Sequence, residues 1–427
     1  MSEIEHVERP PERGPSSPTP TTGGEPVGSM AAAAEGAQPP AVLDATSARR
    51  RRWLWAASAG LLVLLLAFSG IFIRYVSKPA PLPDMLIPRA KVNYAPHYLY
   101  SIYGLSKPVG VALSPDGNRV YVAESEGERR VRIFDRDGNA SGNVAMPISV
   151  AGERAPVYLA TDPTGRLYVT DRLQFAVFVF GRDGEYLDAI LTPDLTLSEY
   201  VAQNTSNYAF GDKVTYNVFR KAVSYEANGA TEKSLPMPDV KGWAPLGIRI
   251  DGRGTMYLTD VTKDSNRIHV LDLSALLPAK SWSRFNAPDK QIGASGRGRG
   301  EFLFPNSAVA DSQGRIYVSD GNNGRISMWD KDRRFLQSFA TGGGDGSVNL
   351  PRGVFIDGRD RLHVVDAVGQ SVQVYDVSGA DPAYVYSFGE FGSGDGLFNY
   401  PNDIAIDSSG RLYIADRDNN RVQVWSY

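Results

Sequence analysis

Six acidic side chains recur at matching places along the chain, and carboxylates at fixed intervals are candidates for acid–base or metal chemistry. Four of them are followed five to seven residues later by an arginine: Glu124 and Arg130, Asp260 and Arg267, Asp320 and Arg325, and Asp416 and Arg421. This repeated pairing favours an ion pair that bridges a turn. Asp171 and Asp366 lack the arginine. An acid without a basic partner is the better functional candidate, unless Arg172 or Arg352 neutralises it.

These acids belong to a pattern that occurs six times. Each copy begins at a proline, and the six are Pro108, Pro156, Pro245, Pro305, Pro351 and Pro401. Most copies have aspartate at the sixth position after the proline, glycine at the ninth, tyrosine at the twelfth and the recurring acid at the fifteenth. The first copy departs with Ser114 and one extra residue, and the fifth with Asp360 and His363. Short β-rich runs between such turn residues predict antiparallel strands, which must pack against neighbouring copies.

The pattern, followed by N-R-[IV]-x-V, resembles the NHL repeat. The resemblance extends over about three quarters of the chain and implies an all-β fold, a six-bladed β-propeller of the NHL type. The last copy stops at Tyr427 after only three strands. Residues 97–104 (HYLYSIYG) alternate as residues 383–390 (AYVYSFGE) do, and both precede a proline. We therefore expect this N-terminal strand to complete the sixth blade and to close the ring, which leaves no open sheet edge.

The N-terminal part of the chain predicts one transmembrane helix. Residues 1–52 are rich in Pro, Gly, Ala, Ser and Thr, a composition typical of a disordered tail. Residues 53–73 carry no charge and are long enough to span a bilayer core as a helix, and residues 74–96 form a proline-rich linker. Residues 49–52 are all arginine, whereas only Arg74 and Lys78 closely follow the apolar segment. The positive-inside rule therefore places the tail in the cytoplasm and the propeller, residues 97–427, outside it.

Residues 192–243 exceed the repeat period between the second and third blades. We predict a short helix at 194–202 and strands at 214–219 and 222–225, and the segment is rich in aromatic residues. It is either a lid or partner-binding element on the top face, defined here as the face that carries the loops before each proline, or padding over the outer edge of a blade. The closing strand starts at the opposite face, so the top face is expected to point away from the membrane.

The residue after each proline is expected at the top mouth of the central channel, and these residues are Val109, Val157, Leu246, Asn306, Arg352 and Asn402. Tyr158 and Asp403 should lie one position deeper. The mouth is then half apolar and half polar, as specific small-ligand sites are, although ordinary capping of loops is the alternative. With a glycine-rich loop at 296–300 on the same face, the candidate binding residues are Tyr158, Asp171, Arg297, Arg299, Asn306, Arg352, Asp366, Asn402 and Asp403.

The sequence predicts neither a cofactor nor a nucleic-acid partner. There is no cysteine, and His97, His269 and His363 fall on different strands of their repeats, which argues against a zinc site. Related six-bladed lactonases and esterases bind calcium through Glu, Asn and Asp; Asn306, Asn402 and Asp403 resemble part of that set, but the rim has no glutamate. The net charge of −3 does not favour the basic surface that nucleic acids need.

These expectations describe a membrane-anchored module that binds a protein or small ligand outside the cytoplasm, without catalysis. The alternative is a calcium-dependent hydrolase of lactonase or esterase type, or a lyase of propeller type. For the binding module, deleting residues 204–229, or replacing Arg352 and Asp403 together by alanine, is expected to abolish binding and preserve the fold. Turns on the opposite face, such as Asp137-Gly138, are expected to tolerate substitution.

Overall fold

The computed structural model describes residues 45–77, 94–209, 212–227, 229–240, 242–273 and 291–427. Most of the predicted tail, 1–44, and most of the predicted linker, 78–93, lie outside these residues. The chain separates into two compact units, Met1–Phe68 and Ser69–Tyr427.

The helix Ala45–Ser77 contains the predicted membrane-spanning segment. Its stretch Trp53–Gly70 is long and apolar enough to cross a membrane. The prediction of a disordered tail up to residue 52 is wrong from Ala45 onward, because the helix begins there. Alanine and arginine have high helix propensity, and adding residues to an existing helix costs far less than starting one.

Antiparallel sheets make up the second unit, and sheets 1 to 3 begin at the first three repeat prolines. Sheet 1 contains Pro108–Leu113, Arg119–Glu124, Val131–Asp135 and Ala140–Asn143. Sheet 2 contains Pro156–Thr161, Leu167–Asp171, Ala176–Phe180, Tyr186–Thr192 and Leu195–Thr196. Sheet 3 contains Pro245–Ile250, Thr255–Asp260, Arg267–Asp272 and Gln291–Ile292. Each strand pairs with the next along the chain, which is the meander that the turn residues predict.

Sheets 4 to 6 repeat this arrangement. Sheet 4 contains Pro305–Ala310, Ile316–Asp320, Arg325–Trp329 and Phe335–Phe339. Sheet 5 contains Pro351–Ile356, Arg361–Asp366, Ser371–Asp376 and Ala383–Phe388. Sheet 6 contains Pro401–Ile406, Arg411–Asp416 and Arg421–Ser426, with His97–Ile102 as its outer strand. A short parallel pair, Ala294–Ser295 with Glu301–Phe302, precedes sheet 4.

The outer strand of sheet 6 comes from the N-terminal end of the unit. His97 pairs with Ser426 and Ile102 with Val422, and the Tyr98 ring meets the Trp425 ring edge-on. This strand also packs on a turn of sheet 1, where a Cβ added to Gly138 (φ +87°) would lie 3.1 Å from the Ile102 side chain. The prediction that the turn at Asp137-Gly138 tolerates substitution is therefore wrong for Gly138.

The first strands of the sheets lie side by side in chain order, and the first strand of sheet 6 contacts that of sheet 1. The approach is close: a Cβ on Gly247 of sheet 3 would lie 1.7 Å from the carbonyl oxygen of Asn306 in sheet 4. Apolar clusters fill the space between consecutive sheets, as Tyr413 and Val111 do between sheets 6 and 1. The first strands thus surround a central axis, and the core lies between the sheets.

A β-bulge follows the proline in the first strand of every sheet. The register shifts between the proline and the second or third residue after it. A bulge leaves one residue out of the ladder and re-aims its side chain. The residue directly after the proline therefore escapes the alternation of the strand, and several such residues point toward the central axis.

The segment between sheets 2 and 3 is the insertion, residues 192–243. It contains the helix Leu197–Asn204 and a sheet of Val214–Asn217, Ala222–Ala227 and Ala230–Pro236. Tyr216 and Val223 are fully buried in one cluster with Phe178 and Leu191 of sheet 2. The insertion covers sheet 2 as padding, so we now expect that deleting residues 204–229 disturbs the fold, contrary to the prediction from the sequence.

Candidate ligand-binding site

The six recurring acids anchor the loops that lead into the sheets. Each is buried and accepts a hydrogen bond from a backbone N–H just before its own proline. The donors and acceptors are Ser106 to Glu124, Ala155 to Asp171, Ala244 to Asp260, Leu303 to Asp320, Leu350 to Asp366 and Asn399 to Asp416. The four predicted acid–arginine pairs also form, with N–O distances of 2.8–3.4 Å. Repetition of these carboxylates is thus explained by loop structure.

Asp171 and Asp366 serve the same purpose without an arginine. Asp171 also accepts hydrogen bonds from the backbone N–H groups of Leu173 and Gln174, and Asp366 accepts one from that of Gly369. Burial raises the pKa of Asp171. Since both carboxylates are turned into their own hairpins and covered, the structure does not bring these two candidates into a binding site.

The glycine-rich loop at 296–300 lies at the outer part of sheet 4. Arg297 and Arg299 are exposed, and the Arg299 guanidinium lies over the Phe335 ring at 5.4 Å. The Arg325 side chain donates to the carbonyl oxygens of Arg297 and Gly298. Neither Arg297 nor Arg299 lines the central mouth described next, so the structure separates these two candidates from the rest.

A cavity of about 470 Å³ opens at the proline end of the first strands. We call it the mouth. Its apolar lining includes Val109, Val157, Leu246 and Phe304, and its polar lining includes Arg129, Tyr158, Arg172, Arg352, Asn402 and Arg417. Three of the predicted candidates, Tyr158, Arg352 and Asn402, therefore line one cavity of a size that suits a small molecule.

Arg352 is the most firmly held side chain in the mouth. Its Nη1 donates to Asn306 Oδ1 at 2.8 Å, and its Nη2 donates to the Tyr400 hydroxyl at 3.1 Å. Asn306 is fully buried, so this candidate supports Arg352 from behind the cavity wall. Tyr400 has a φ of +53° directly before Pro401, and its ring faces both Arg352 and Arg417. Lys107 and Phe304, which also directly precede repeat prolines, have the same left-handed conformation, so it belongs to the repeat.

A buried ion pair lies beneath the mouth. The Arg249 side chain reaches from sheet 3 to Asp403 of sheet 6, and it also donates to the carbonyl oxygens of Val354 and Ile404. Asp403 is fully buried and accepts from the Val111 N–H as well. Burial raises the pKa of Asp403, and Arg249 opposes that rise. Asp403 is thus a structural partner of Arg249, and replacing it is not a test of binding alone.

Arg249 also separates the mouth from the lower end of the axis. It lines two cavities that open at the far ends of the first strands, near Asp407 and near Asp357. The mouth is therefore a pocket with a floor. Tyr158 and Asn402 form that floor, where the Asn402 amide donates to the Val109 carbonyl oxygen. Burial raises the pKa of Tyr158, which keeps its hydroxyl protonated at neutral pH.

Three arginines of the mouth were missed as candidates on the sequence: Arg129, Arg172 and Arg417. Each lies in the turn between the second and third strands of its sheet. Arg172 and Arg417 directly follow the recurring acid, a position that a search for arginines after each Asp would have found. Among the residues that the structure describes, no group of three or more His, Asp or Glu side chains is arranged to hold a metal ion.

Antiparallel sheets whose first strands meet around a central axis define the protein as a β-propeller. Residues 398–425, which cover the strands Pro401–Ile406 and Arg411–Asp416 and most of Arg421–Ser426, match the family model of the NHL repeat. This segment of the chain therefore contains an NHL repeat, as the repeated pattern predicts.

Solved structures with a similar arrangement have low sequence identity to this chain. A streptogramin B lyase has 10% identity and a TM-score of 0.46, covering 78% of this chain and 98% of its own. A protein of unknown function from Bacteroides thetaiotaomicron has 15% identity and a TM-score of 0.48, covering 78% of this chain and 72% of its own. An auxiliary nutrient binding protein from the same organism has 13% identity and a TM-score of 0.45, covering 76% of this chain and 70% of its own. Similarity at this level does not bear on activity, and no curated protein matches the sequence.

Proposed function

We propose that this protein is a membrane-anchored, six-bladed NHL propeller that binds a ligand or partner at the mouth without catalysis. The contacts of each first strand with the next, and of the sixth with the first, support a ring of six blades. The pairing of His97–Ile102 with Arg421–Ser426 supports closure of that ring by the N-terminal strand. Closure satisfies the strand edge that sheet 6 would otherwise expose.

The lining of the mouth is the observation that carries the proposal. Among the described residues that line the mouth, the ionisable side chains are four arginines and Tyr158. Ser125 adds a neutral hydroxyl. Arginine stays protonated in proteins, and burial of Tyr158 disfavours its ionised form. Neither can accept a proton readily at neutral pH, so the pocket is suited to recognition and poorly equipped for general base catalysis.

The anchor and its orientation are part of the proposal. The apolar stretch Trp53–Gly70 supports insertion into a membrane, and the four arginines before it support a cytoplasmic N-terminus. Protease added to intact cells should then digest the propeller and spare an epitope tag on the N-terminus. Digestion of the tag with the propeller protected would reverse the orientation.

Occlusion of the mouth tests the binding function. Full-length protein in detergent is incubated with a metabolite extract, washed, and its retained compounds are identified by mass spectrometry. Val157→Trp, which fills the mouth, should lose the retained compound, whereas Leu187→Trp, at an exposed position of an outer strand, should keep it. Retention by both variants would refute binding at the mouth. Turnover of esters or lactones that Val157→Trp abolishes would favour the hydrolase alternative.

A further inference from the structure

The arginines of the mouth come from four different sheets. Arg129, Arg172 and Arg417 lie in the turns between second and third strands of sheets 1, 2 and 6, and Arg352 lies after the proline of sheet 5. No aspartate or glutamate is among the described residues that line the cavity. Positive charge from separate parts of the fold is thus directed into one small space.

Four buried carboxylates of the same sheets are engaged elsewhere. Glu124 pairs with Arg130 and Arg132, and Asp403 pairs with Arg249. Asp171 is held by backbone N–H groups of its own hairpin. Asp416 pairs with Arg421. These four carboxylates therefore do not pair with the arginines of the mouth, and a low-dielectric concave surface strengthens the field of such a group of charges.

Asp418 is the acid closest to neutralising an arginine of the mouth. Its carboxylate lies 3.0 Å from Lys107 Nζ and 3.6 Å from Arg417 Nε. It is thus shared between two cations. Within the described part of the chain, Arg129, Arg172 and Arg352 form no ion pair. Three guanidinium groups remain to interact with an anion from outside.

Arg352 is already positioned to receive one. Asn306 Oδ1 and the Tyr400 hydroxyl each occupy one Nη group, which fixes the plane of the guanidinium and leaves further N–H donors. A guanidinium held in this way loses little conformational entropy on binding and matches the two oxygens of a carboxylate or phosphate. The side chain is half-buried, so its interaction with an anion is less screened than at an open surface.

The apolar lining restricts what else the anion can carry. Val109, Val157 and Leu246 come from sheets 1 to 3, and Phe304 precedes Pro305. Arg352 and Asn402 come from sheets 5 and 6, so these two polar side chains and the apolar ones are supplied by different sheets. The volume of about 470 Å³ suits a small molecule rather than a polymer.

We infer that the mouth is a receptor for a small organic oxyanion, a carboxylate or phosphate attached to an apolar body, with Arg352 as its main anchor. This inference rests on the proposed binding function and specifies its ligand class. Arg129, Arg172 and Arg417 add long-range electrostatic attraction. The side chains of Val109, Val157 and Leu246 contact the apolar body of the ligand. Binding therefore weakens as ionic strength rises.

Calorimetric titration of the full-length protein with phenyl phosphate and benzoate, against the uncharged benzamide, tests this inference. The two anions should bind at low salt at least about tenfold more tightly than benzamide. Arg352→Gln should lose about tenfold or more of that affinity, and Arg352→Lys should retain part of it. Arg182→Gln is the matched control, since Arg182 is exposed and lies in a different cavity with Asp116.

Several results would overturn the inference. One is that benzamide binds as tightly as benzoate and that Val157→Trp abolishes the binding of both. The mouth would then be a binding site, but not one selective for anions. Another is anion binding that Arg352→Gln leaves unchanged, which would place the anion elsewhere. A third is no binding of either anion at about 10 mM, weaker than any specific site should be. If Arg352→Gln fails to fold, Val157→Trp, which fills the mouth, takes its place, and anion binding that it leaves unchanged overturns the inference.

Discussion

The mouth and the insertion were both candidates for a binding surface on the sequence, although padding over a blade was the alternative for the insertion, and their side chains differ in burial. The insertion's Val214, Tyr216 and Val223 are almost fully buried against sheet 2. Arg352 and Arg172 of the mouth remain partly or fully accessible. Aromatic content alone therefore did not distinguish a recognition surface from a part of the core.

The difference lies in what the side chains are bonded to. At the end of the insertion, the Val218 N–H donates to Gln174 Oε1, and the Asn217 amide donates to Glu153 Oε2 at 2.8 Å. These contacts join the insertion to sheet 2 and to the segment before it. In the mouth, cationic groups converge with no carboxylate among the lining residues. Substitutions in the two regions should therefore separate stability from binding.

Removal of the insertion should have the largest effect. Deleting residues 204–229 takes several buried side chains from the cluster that covers sheet 2, and Tyr216→Ala alone should cost about 3–5 kcal/mol of unfolding free energy. The deletion variant should lose its cooperative thermal transition or fail to remain soluble. Phe219→Ala is the control, because Phe219 is 52% exposed. A deletion variant that melts at the wild-type temperature would show that the insertion is dispensable.

The ion pair beneath the mouth should give the next largest effect. Asp403→Asn leaves the Arg249 guanidinium buried without a counter-charge, which should cost about 3–5 kcal/mol. Urea unfolding measures this loss. Asp418→Asn is the comparison, since that carboxylate is partly exposed and its pair with Lys107 should be worth about 1 kcal/mol or less. Equal losses in the two variants would mean that Arg249 does not depend on Asp403.

Features set by short-range pattern were predicted from the sequence. The alternating residues 383–390 contain the strand Ala383–Phe388, because alternation and flanking turn residues are local signals. Arg352 and Asn402 were placed at the mouth because each follows a repeat proline, where the bulge turns the side chain to the axis. The helical start at Ala45 was missed because the tail's overall composition outweighed its last residues.

Features that depend on convergence were not predictable from the sequence. The partner of Asp403 is Arg249, which lies 154 residues away on another sheet. Arg129, Arg172 and Arg417 meet only because turns of separate sheets converge on one axis. Asp171 and Asp366 seemed free because their arginines are missing, but the backbone N–H groups that satisfy them have no signature in side-chain types.

A pH-dependent effect is expected where the insertion joins sheet 2. Asp188 is buried and accepts hydrogen bonds from the Ala189 and Ser198 N–H groups, at the start of the helix Leu197–Asn204. Burial raises its pKa from 3.8 to about 7. Between these two pH values the folded state holds a proton that the unfolded state has lost. The contribution of the protonated Asp188 to the free energy of unfolding is therefore complete below pH 3.8 and is lost as the pH rises to about 7.

Asp188→Asn should remove that dependence. Relative to the variant, the wild type should lose up to about 1.4 kcal/mol of unfolding free energy per pH unit between pH 4 and 7. The difference in unfolding free energy between the two proteins should level off above that range. Unfolding by urea at several pH values, for both proteins, measures it. A difference that does not change with pH would mean that the Asp188 carboxyl is ionised in the folded protein throughout.

The smallest effect on stability is expected at the edge of the mouth. Arg172 is exposed and makes no ion pair with the described residues, so Arg172→Gln should change the unfolding free energy by less than about 0.5 kcal/mol. Its charge still acts on an anion held by Arg352, and losing it should weaken phenyl phosphate binding about two- to fivefold at low salt. The loss should shrink in high salt, because screening removes the attraction between separated charges. Arg182→Gln, at an exposed position in another cavity, should change neither quantity. An Arg172→Gln variant that binds phenyl phosphate as the wild type does at low salt would remove Arg172 from the receptor and leave the anchoring by Arg352 to stand alone.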